Sequence, residues 1–501
     1  MTQENLDDED PNRRRLCATC VGEPFLKAVI RKEGDIARCD FCTRRKGRTF
    51  TLKQMADRVE AAFADHYVRT SDQPDELESM AIRYGELDWT RHGEPVGEAI
   101  QMAAMIDEPP ATAIAEILAE RHDTFVPGDV EEEQEFGPDS YYERLDSVED
   151  DHFHQDWERF EQSLKSEARF FSRKAEQVLS DIFSGVTEAR TKSGDSVIFA
   201  AGPGTALTSI FRARAFQSRD RLEAALARPD LEIAPPPSKE ARAGRMNARG
   251  VPVFYGATDA RIAMAEVRPP VGAEVIVGRF EIVRPLRLLD VAALGKVFVE
   301  GSVFDPTLAG RARRASFLAT LSRRIIRPVM PDAEDFEYLV TQAMADYLAD
   351  QPRFALDGVL FPSVQSKVKG ANIVLFHKAA RAAEFDLPKG TEVQAYLHGG
   401  SSDEEYDDGP LTWSVLEETP VPSKNAKSKA ADDPLDDLDT MDSVFRHIGG
   451  LWSDEEKDPR EVSLRLDPQS LLVHRVNAVR FSTTATPVKR SSREKPERES
   501  F

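Results

Sequence analysis

The chain has 501 residues, 41% of them apolar, and a formal net charge of −22. That length exceeds what one hydrophobic core usually holds and points to two or three domains. No apolar run reaches bilayer length, and the acidic first ten residues lack the basic-then-apolar form of a secretory leader, so a cytoplasmic chain without membrane contact is expected.

Charge is uneven along the chain. Residues 1–190 carry −19, residues 191–400 carry +5 and residues 401–501 carry −8. An acidic front half argues against nucleic acid as a partner, because that affinity rests on neutralising phosphates. The basic middle suits a small phosphate-bearing ligand.

In chain order, the first feature is four cysteines, Cys17, Cys20, Cys39 and Cys42, the full cysteine content of the chain. Two Cys-x-x-Cys turns separated by a short loop are the spacing of a structural zinc site, with four thiolates and no open position. Disulfides fit poorly with a cytoplasmic chain, and a redox motif needs only one pair. Residues 1–50 are therefore read as a four-cysteine zinc-binding segment.

Residues 51–190 read as a helical domain. Leu52, Met55, Val59, Ala62 and Phe63 follow a three/four spacing after Thr51, and so do Ala99, Met102, Ala103 and Ile106. Beyond Pro109-Pro110, Ala113, Ile117 and Leu118 continue it; residues 128–151 form an acidic connector. A further helix carries Phe153, Trp157, Phe160, Leu164, Phe170 and Phe171. Its aromatic face suggests core or a protein-facing surface, so homo-oligomers through the helical half, or binding of a regulator, are expected.

From residue 191 the pattern changes to clustered strands and separate helices, an α+β class. Strands are expected at Val197–Phe199, Ile210–Arg214, Val251–Tyr255, Val275–Phe280, Leu286–Val291, Gly358–Phe361 and Asn372–Phe376. Helices are expected near 308–326 and 334–350. Residues 401–460 read as an acidic flexible linker, 461–484 as two strands returning to the sheet, and 485–501 as a disordered tail.

Within 191–400 lie the candidate site residues. Arg245 and Asn247 sit in the turn Gly244-Arg245-Met246-Asn247-Ala248-Arg249-Gly250, where backbone amides can approach an anion and a guanidinium can grip phosphate. Tyr255 ends a strand and offers a ring face, although a core tyrosine is the commoner fate of such a residue. Asp259 can cap a helix that carries Glu266 one turn after Ile262, toward the sheet; there a carboxylate needs a partner, either a ligand or Arg245, Arg261 or Arg268. Ser363 follows a short strand, and Arg212 is a further phosphate candidate.

Arginine, tyrosine and glutamate at these spacings, then Phe361-Pro362-Ser363 and Asn372-Ile373-Val374-Leu375-Phe376, resemble the RES domain over most of residues 205–380. The resemblance implies an ADP-ribosyltransferase-like RES catalytic domain over 191–400, preceded by the zinc-binding segment and the helical domain. It implies NAD as substrate, cleaved at the nicotinamide–ribose bond by hydrolysis or phosphorolysis, and toxin activity restrained by a partner antitoxin. The alternatives are an ADP-ribosyltransferase or a non-enzymatic RES fold that binds nucleotide or protein. Carried over by motif, the matching positions are Arg245, Tyr255, Glu266 and Ser363; Met246 stands where the family often has an aromatic. Glu266, Tyr255 and Ser363 are thus the catalytic candidates, and Arg245, Arg212 and Asn247 the substrate-binding ones.

The stretch from Cys20 to Ile30 is similar to the start of the HEPN/RES N-terminal domain. HEPN domains include ribonucleases that use an arginine four to six residues before a histidine. None of the nine histidines has that spacing, the nearest miss leaving seven residues between Arg144 and His152.

Overall fold

The computed structural model describes residues 11–85, 88–123, 134–145, 151–166, 172–366, 368–398, 411–420, 458–480 and 483–490. It divides into two compact units, Met1–Phe199 with Leu289–Ala355, and Ala200–Leu288 with Leu356–Phe501. Among the described residues no helix is long and apolar enough to cross a membrane.

The first unit opens on a three-stranded antiparallel sheet ordered Arg15–Cys17, Gly47–Thr51, Asp35–Ala37. Thr51 ends the middle strand and caps the helix Leu52–His66 in a full capping box with Gln54. Such a cap contributes about 1 kcal/mol by satisfying amides that the first turn leaves open. All five apolar positions read on this helix, Leu52, Met55, Val59, Ala62 and Phe63, are buried. They join one core with Ile100, Ile114 and Leu118 of the helices Val96–Ala104 and Glu108–Arg121. A second small sheet is ordered Tyr67–Arg69, Tyr141–Arg144, Glu94–Pro95.

The helices Leu308–Ile326 and Glu334–Asp350 pack in this unit, against Asp151–Ser166 and Arg173–Ile182. Trp157 and Phe160 are each 2% exposed. Phe317 of the later helix lies 5.7 Å from the ring of Phe153 and 5.6 Å from that of Trp157. The aromatic face expected to be core or a partner surface is therefore internal, covered by a helix about 160 residues downstream. Phe170 and Phe171 lie outside the described residues, as do 124–133 and 146–150 of the acidic connector.

The second unit is built on a nine-stranded sheet. Its spatial order is Ala382–Ala383, Leu464–Arg475, Glu274–Ile282, Ser209–Phe216, Phe254–Ala257, Ala371–Leu375, Gly358–Pro362, Leu286–Asp290 and Ile198–Ala201. Ser209–Phe216 pairs with Glu274–Ile282 over eight residues, but meets Phe254–Ala257 at one pair, Phe211 opposite Ala257. The sheet is thus two halves joined at one point. Gly256 permits the junction: a Cβ there would stand 2.9 Å from the Phe211 carbonyl oxygen and 2.6 Å from the Phe254 ring.

The returning C-terminal segment forms one long strand, Leu464–Arg475, with an irregular register between Val277 and Arg279 of its partner. Within 401–460, Thr412–Glu418 pairs with Glu392–His398 as a two-stranded ribbon, and the remainder, apart from 411–420 and 458–460, lies outside the described residues. The mix of helices and mixed sheet is α+β.

Candidate functional site

The strand holding Tyr255 runs from Phe254 to Ala257 and not from Val251 to Tyr255. Its pairing sets the frame, with Phe254 opposite Leu375 and Ala257 opposite Asn372. The strand is followed by the short helix Ala260–Glu266, capped by Asp259, whose side chain accepts from the Arg261 amide. Ile262 and Ala263 bury that helix against Ala213, Ala257, Val275 and Val277 of the sheet.

Glu266 ends the helix and is exposed, not turned into the apolar boundary as its spacing suggested. Its partners differ from the expected arginines. Oε1 accepts from Ser363 Oγ at 3.0 Å and from Asn372 Nδ2 at 2.8 Å. Among the described residues Glu266 makes no ion pair, and Arg261 pairs with Asp259 instead. One carboxylate oxygen is clamped by two neutral donors, and Oε2 has no hydrogen-bond partner among the described residues.

Asn372 was not among the site candidates. It is 5% exposed, sits opposite both Ala257 and Phe361, and keeps a buried Oδ1 without a partner. A buried polar group normally finds a partner, so an orphaned carbonyl oxygen beside a clamped carboxylate is notable. The signal that could have found it is a lone amide at the start of an otherwise apolar strand, Ala371–Leu375.

Tyr255 is half-buried, and its hydroxyl is fixed to the preceding turn. It donates to Asn247 Oδ1 at 2.9 Å and accepts from the Met246 amide at 3.0 Å. Asn247 is 2% exposed and turns its Nδ2 to the carbonyls of Arg242 and Val251, each at 2.9 Å. Gly244 is required beside them, since a Cβ would lie 2.5 Å from the tyrosine oxygen. The turn and the strand are one knot. Arg245 projects from it, half-buried.

Arg212 adjoins Phe211 at the junction of the half-sheets. Its guanidinium carbon lies 5.0 Å over the Phe254 ring, and its Nη1 is buried without a hydrogen-bond partner. Burial, and then the nearby Arg214, lower its pKa to about 10. Arg214 itself is exposed and bonds Glu232. A half-buried guanidinium with one nitrogen fully desolvated and no counter-charge is costly, so the surrounding structure keeps Arg212 at a stability cost.

Five of the six candidates therefore gather about the junction in two clusters. Glu266 and Ser363 meet on Asn372, opposite Ala257. Tyr255 lies two residues before Ala257 and holds Asn247, while Arg212 follows Phe211.

In the first unit, the sulfurs of Cys17, Cys20, Cys39 and Cys42 all lie within 4.8 Å of one another and can hold a metal ion. Separations are 3.6 Å for Cys17–Cys20, 3.8 Å for Cys17–Cys42 and 3.9 Å for Cys20–Cys39, and all four cysteines are free of disulfides.

No curated protein matches the chain. Residues 212–397 match the family model of the RES domain, a stretch that opens on Arg212 and contains every candidate of the junction, and the chain accordingly carries a RES domain.

Proposed function

We propose that the RES domain cleaves the nicotinamide–ribose bond of NAD. The observation that carries this reading is the Glu266 carboxylate, oriented through Oε1 by Ser363 and Asn372 with Oε2 uncommitted. A preorganised anion of this kind stabilises positive charge that develops only in the transition state. As the N-glycosidic bond breaks, its electron pair leaves on the nicotinamide nitrogen and cationic character grows on the ribose. Glu266 faces that charge or holds the ribose 2′-hydroxyl. Water then adds to the ribose carbon and gives up a proton, leaving ADP-ribose.

The other groups bind and orient. Arg212, with a buried and unpaired Nη1, and Arg245 hold the pyrophosphate. Tyr255 offers its ring to the nicotinamide, and Asn247 acts through it by fixing the hydroxyl. Ser363 and Asn372 are positioning residues for Glu266.

The four cysteines take zinc in this reading. A tetrahedral ion with Zn–S bonds of about 2.3 Å separates its sulfurs by about 3.8 Å. The observed separations of 3.6, 3.8 and 3.9 Å bracket that value. With four thiolates the ion is structural: it ties the turn after Arg15–Cys17 to the loop before Gly47–Thr51 and supplies no open position for chemistry.

The test is to incubate the purified full chain with NAD and to analyse the products. Equal amounts of free nicotinamide and free ADP-ribose are expected. Nicotinamide with ADP-ribose bound to protein makes the same site a transferase, and a requirement for inorganic phosphate makes it a phosphorylase. No nicotinamide release at all defeats the reading.

A further inference from the structure

The helix Glu76–Arg83 is mounted inside out. None of its residues is buried. Its polar side is the one tied to the protein: Glu78 accepts from Trp89 Nε1 at 3.0 Å and pairs with His92 Nε2 at 2.7 Å. Leu77, Met80 and Tyr84, spaced i, i+3, i+7, form an apolar ridge, 77%, 58% and 78% exposed. An amphipathic surface helix ordinarily turns that stripe to its own core.

Beginning at Gly93, one residue past His92, the same unit has a cleft of about 650 Å³. Tyr67, Met102, Met105 and Val303 give it apolar walls, and Glu94 and Glu143, with Arg144 beside them, give it charged ones. Met102 and Met105 are 58% and 60% exposed. Met105 ends its helix in the left-handed region, at φ 51° and ψ 54°, where glycine is the favoured residue. Its backbone oxygen is held there by the Gly22 amide at 2.8 Å. The fold therefore tolerates local strain to present a flexible apolar side chain over the cleft.

We propose that this unit self-associates about a two-fold axis, the ridge Leu77–Met80–Tyr84 of each copy seating in the methionine-lined cleft of the other. A small ligand or a foreign peptide would fill the cleft and leave the ridge in water. A second copy covers both. Ridge and cleft are neighbours in the chain and in the fold, which is what a self-complementary patch needs, and the axis repeats the contact twice. Charge agrees: Arg83, exposed at the end of the ridge and without an ion pair among the described residues, meets Glu94 and Glu143. The proposal is independent of the NAD reading.

Sedimentation equilibrium of the full chain over micromolar concentrations tests it. A monomer–dimer equilibrium is expected. Leu77→Glu with Met80→Glu, or Met102→Glu alone, should weaken it about thirty-fold or more, the scale of a lost interface anchor. Met105→Gly distinguishes docking from folding: it relieves the left-handed strain, so it should raise Tm while weakening the dimer. Arg83→Glu should weaken association, and Arg83→Glu with Glu94→Arg should restore part of it. A chain that stays monomeric overturns the proposal, whether or not a basic peptide then binds the cleft. So does a dimer indifferent to the ridge and cleft variants.

Discussion

Two arginines with buried, unpartnered nitrogens separate the two units. In the first unit, Arg311 has an orphaned Nε, but its Nη2 bonds Asp305 at 3.0 Å. In the second unit, the side chain of Arg212 makes neither hydrogen bond nor ion pair to a described residue, and its Nη1 is buried. Paired arginines occur in both units, with Arg313 on Asp65 and Arg324 on Glu161 in the first and Arg284 on Asp357 in the second; Arg212 departs from that pattern. Arginines that hold the chain together are paired within it, and the unpaired Arg212 is charge held for something else. An ion pair explains a structural arginine; a lone half-buried one with a desolvated nitrogen calls for an anion from outside.

The largest effect expected is on the helical unit. Cys20→Ser, or chelation, should release the metal and unfold the segment around residues 15–51, because binding energy at such sites, about 10 kcal/mol or more, is folding energy. Hydrogen exchange should show that loss confined to the first unit while NAD turnover persists. Freshly purified protein without zinc and with four reactive thiols would remove the site.

Next, Arg212→Met should weaken NAD binding about thirty-fold or more, since a desolvated charge pair is worth about 2 kcal/mol or more. The same change should leave thermal stability unchanged or raise it, because an unpaired buried cation is replaced by an apolar chain. Arg311→Met should do the reverse, lowering stability by about 1 kcal/mol and sparing NAD binding. If Arg212→Met destabilises as Arg311→Met does, the contrast between the two arginines fails. Ser363→Ala and Asn372→Ala should each cut turnover about ten-fold with little change in NAD affinity, as each removes one donor that orients Glu266. Loss of binding without loss of turnover would assign them to the ligand instead.

The smallest effect concerns pH and the ridge helix. His92 is raised, chiefly by its hydrogen bond to Glu78, and Glu78 is lowered, chiefly by His92. The histidine's contribution is fully present below its unfolded value of about 6.5 and is lost as pH rises through its raised folded value. The glutamate's is present above about 4.3 and is lost as pH falls through its lowered folded value. Protection of the Glu76–Arg83 amides, relative to their intrinsic exchange at each pH, should therefore be greatest between those ordinary values. A flat profile through neutrality would show that this clasp does not hold the helix.

Much of this was legible in the sequence, for reasons that are local. The capping signal at Thr51 and the spacing of Leu52, Met55, Val59, Ala62 and Phe63 lie within one helix, and the structure buries those five residues. The paired Cys-x-x-Cys turns and the helices at Leu308–Ile326 and Glu334–Asp350 were likewise local. What failed to show depends on distant partners. Trp157 and Phe160 are buried in a packing that includes Phe317, which no window around residue 157 contains. Val253 reads as strand by composition, yet the ladder starts at Phe254, because pairing is set by Leu375. The spacing of Glu266 points it toward the apolar boundary, whereas it is exposed and its donors come from about 100 residues later. Nothing local marks Asn372 within Asn372-Ile373-Val374-Leu375-Phe376, because its partners Ala257 and Glu266 lie more than 100 residues earlier.

Glu266 is proposed to meet charge that exists only in the transition state. Glu266→Gln keeps size and the acceptor oxygen while removing the anion. With binding followed by calorimetry and nicotinamide release followed over time, the variant should bind NAD within a few-fold of the parent and turn it over about 100-fold more slowly or worse. Arg245→Ala should show the opposite split, weak binding with turnover largely kept at saturation, and Tyr255→Ala should fall between. A folded Glu266→Gln protein that releases nicotinamide at the parental rate would contradict the account and leave Glu266 a structural carboxylate.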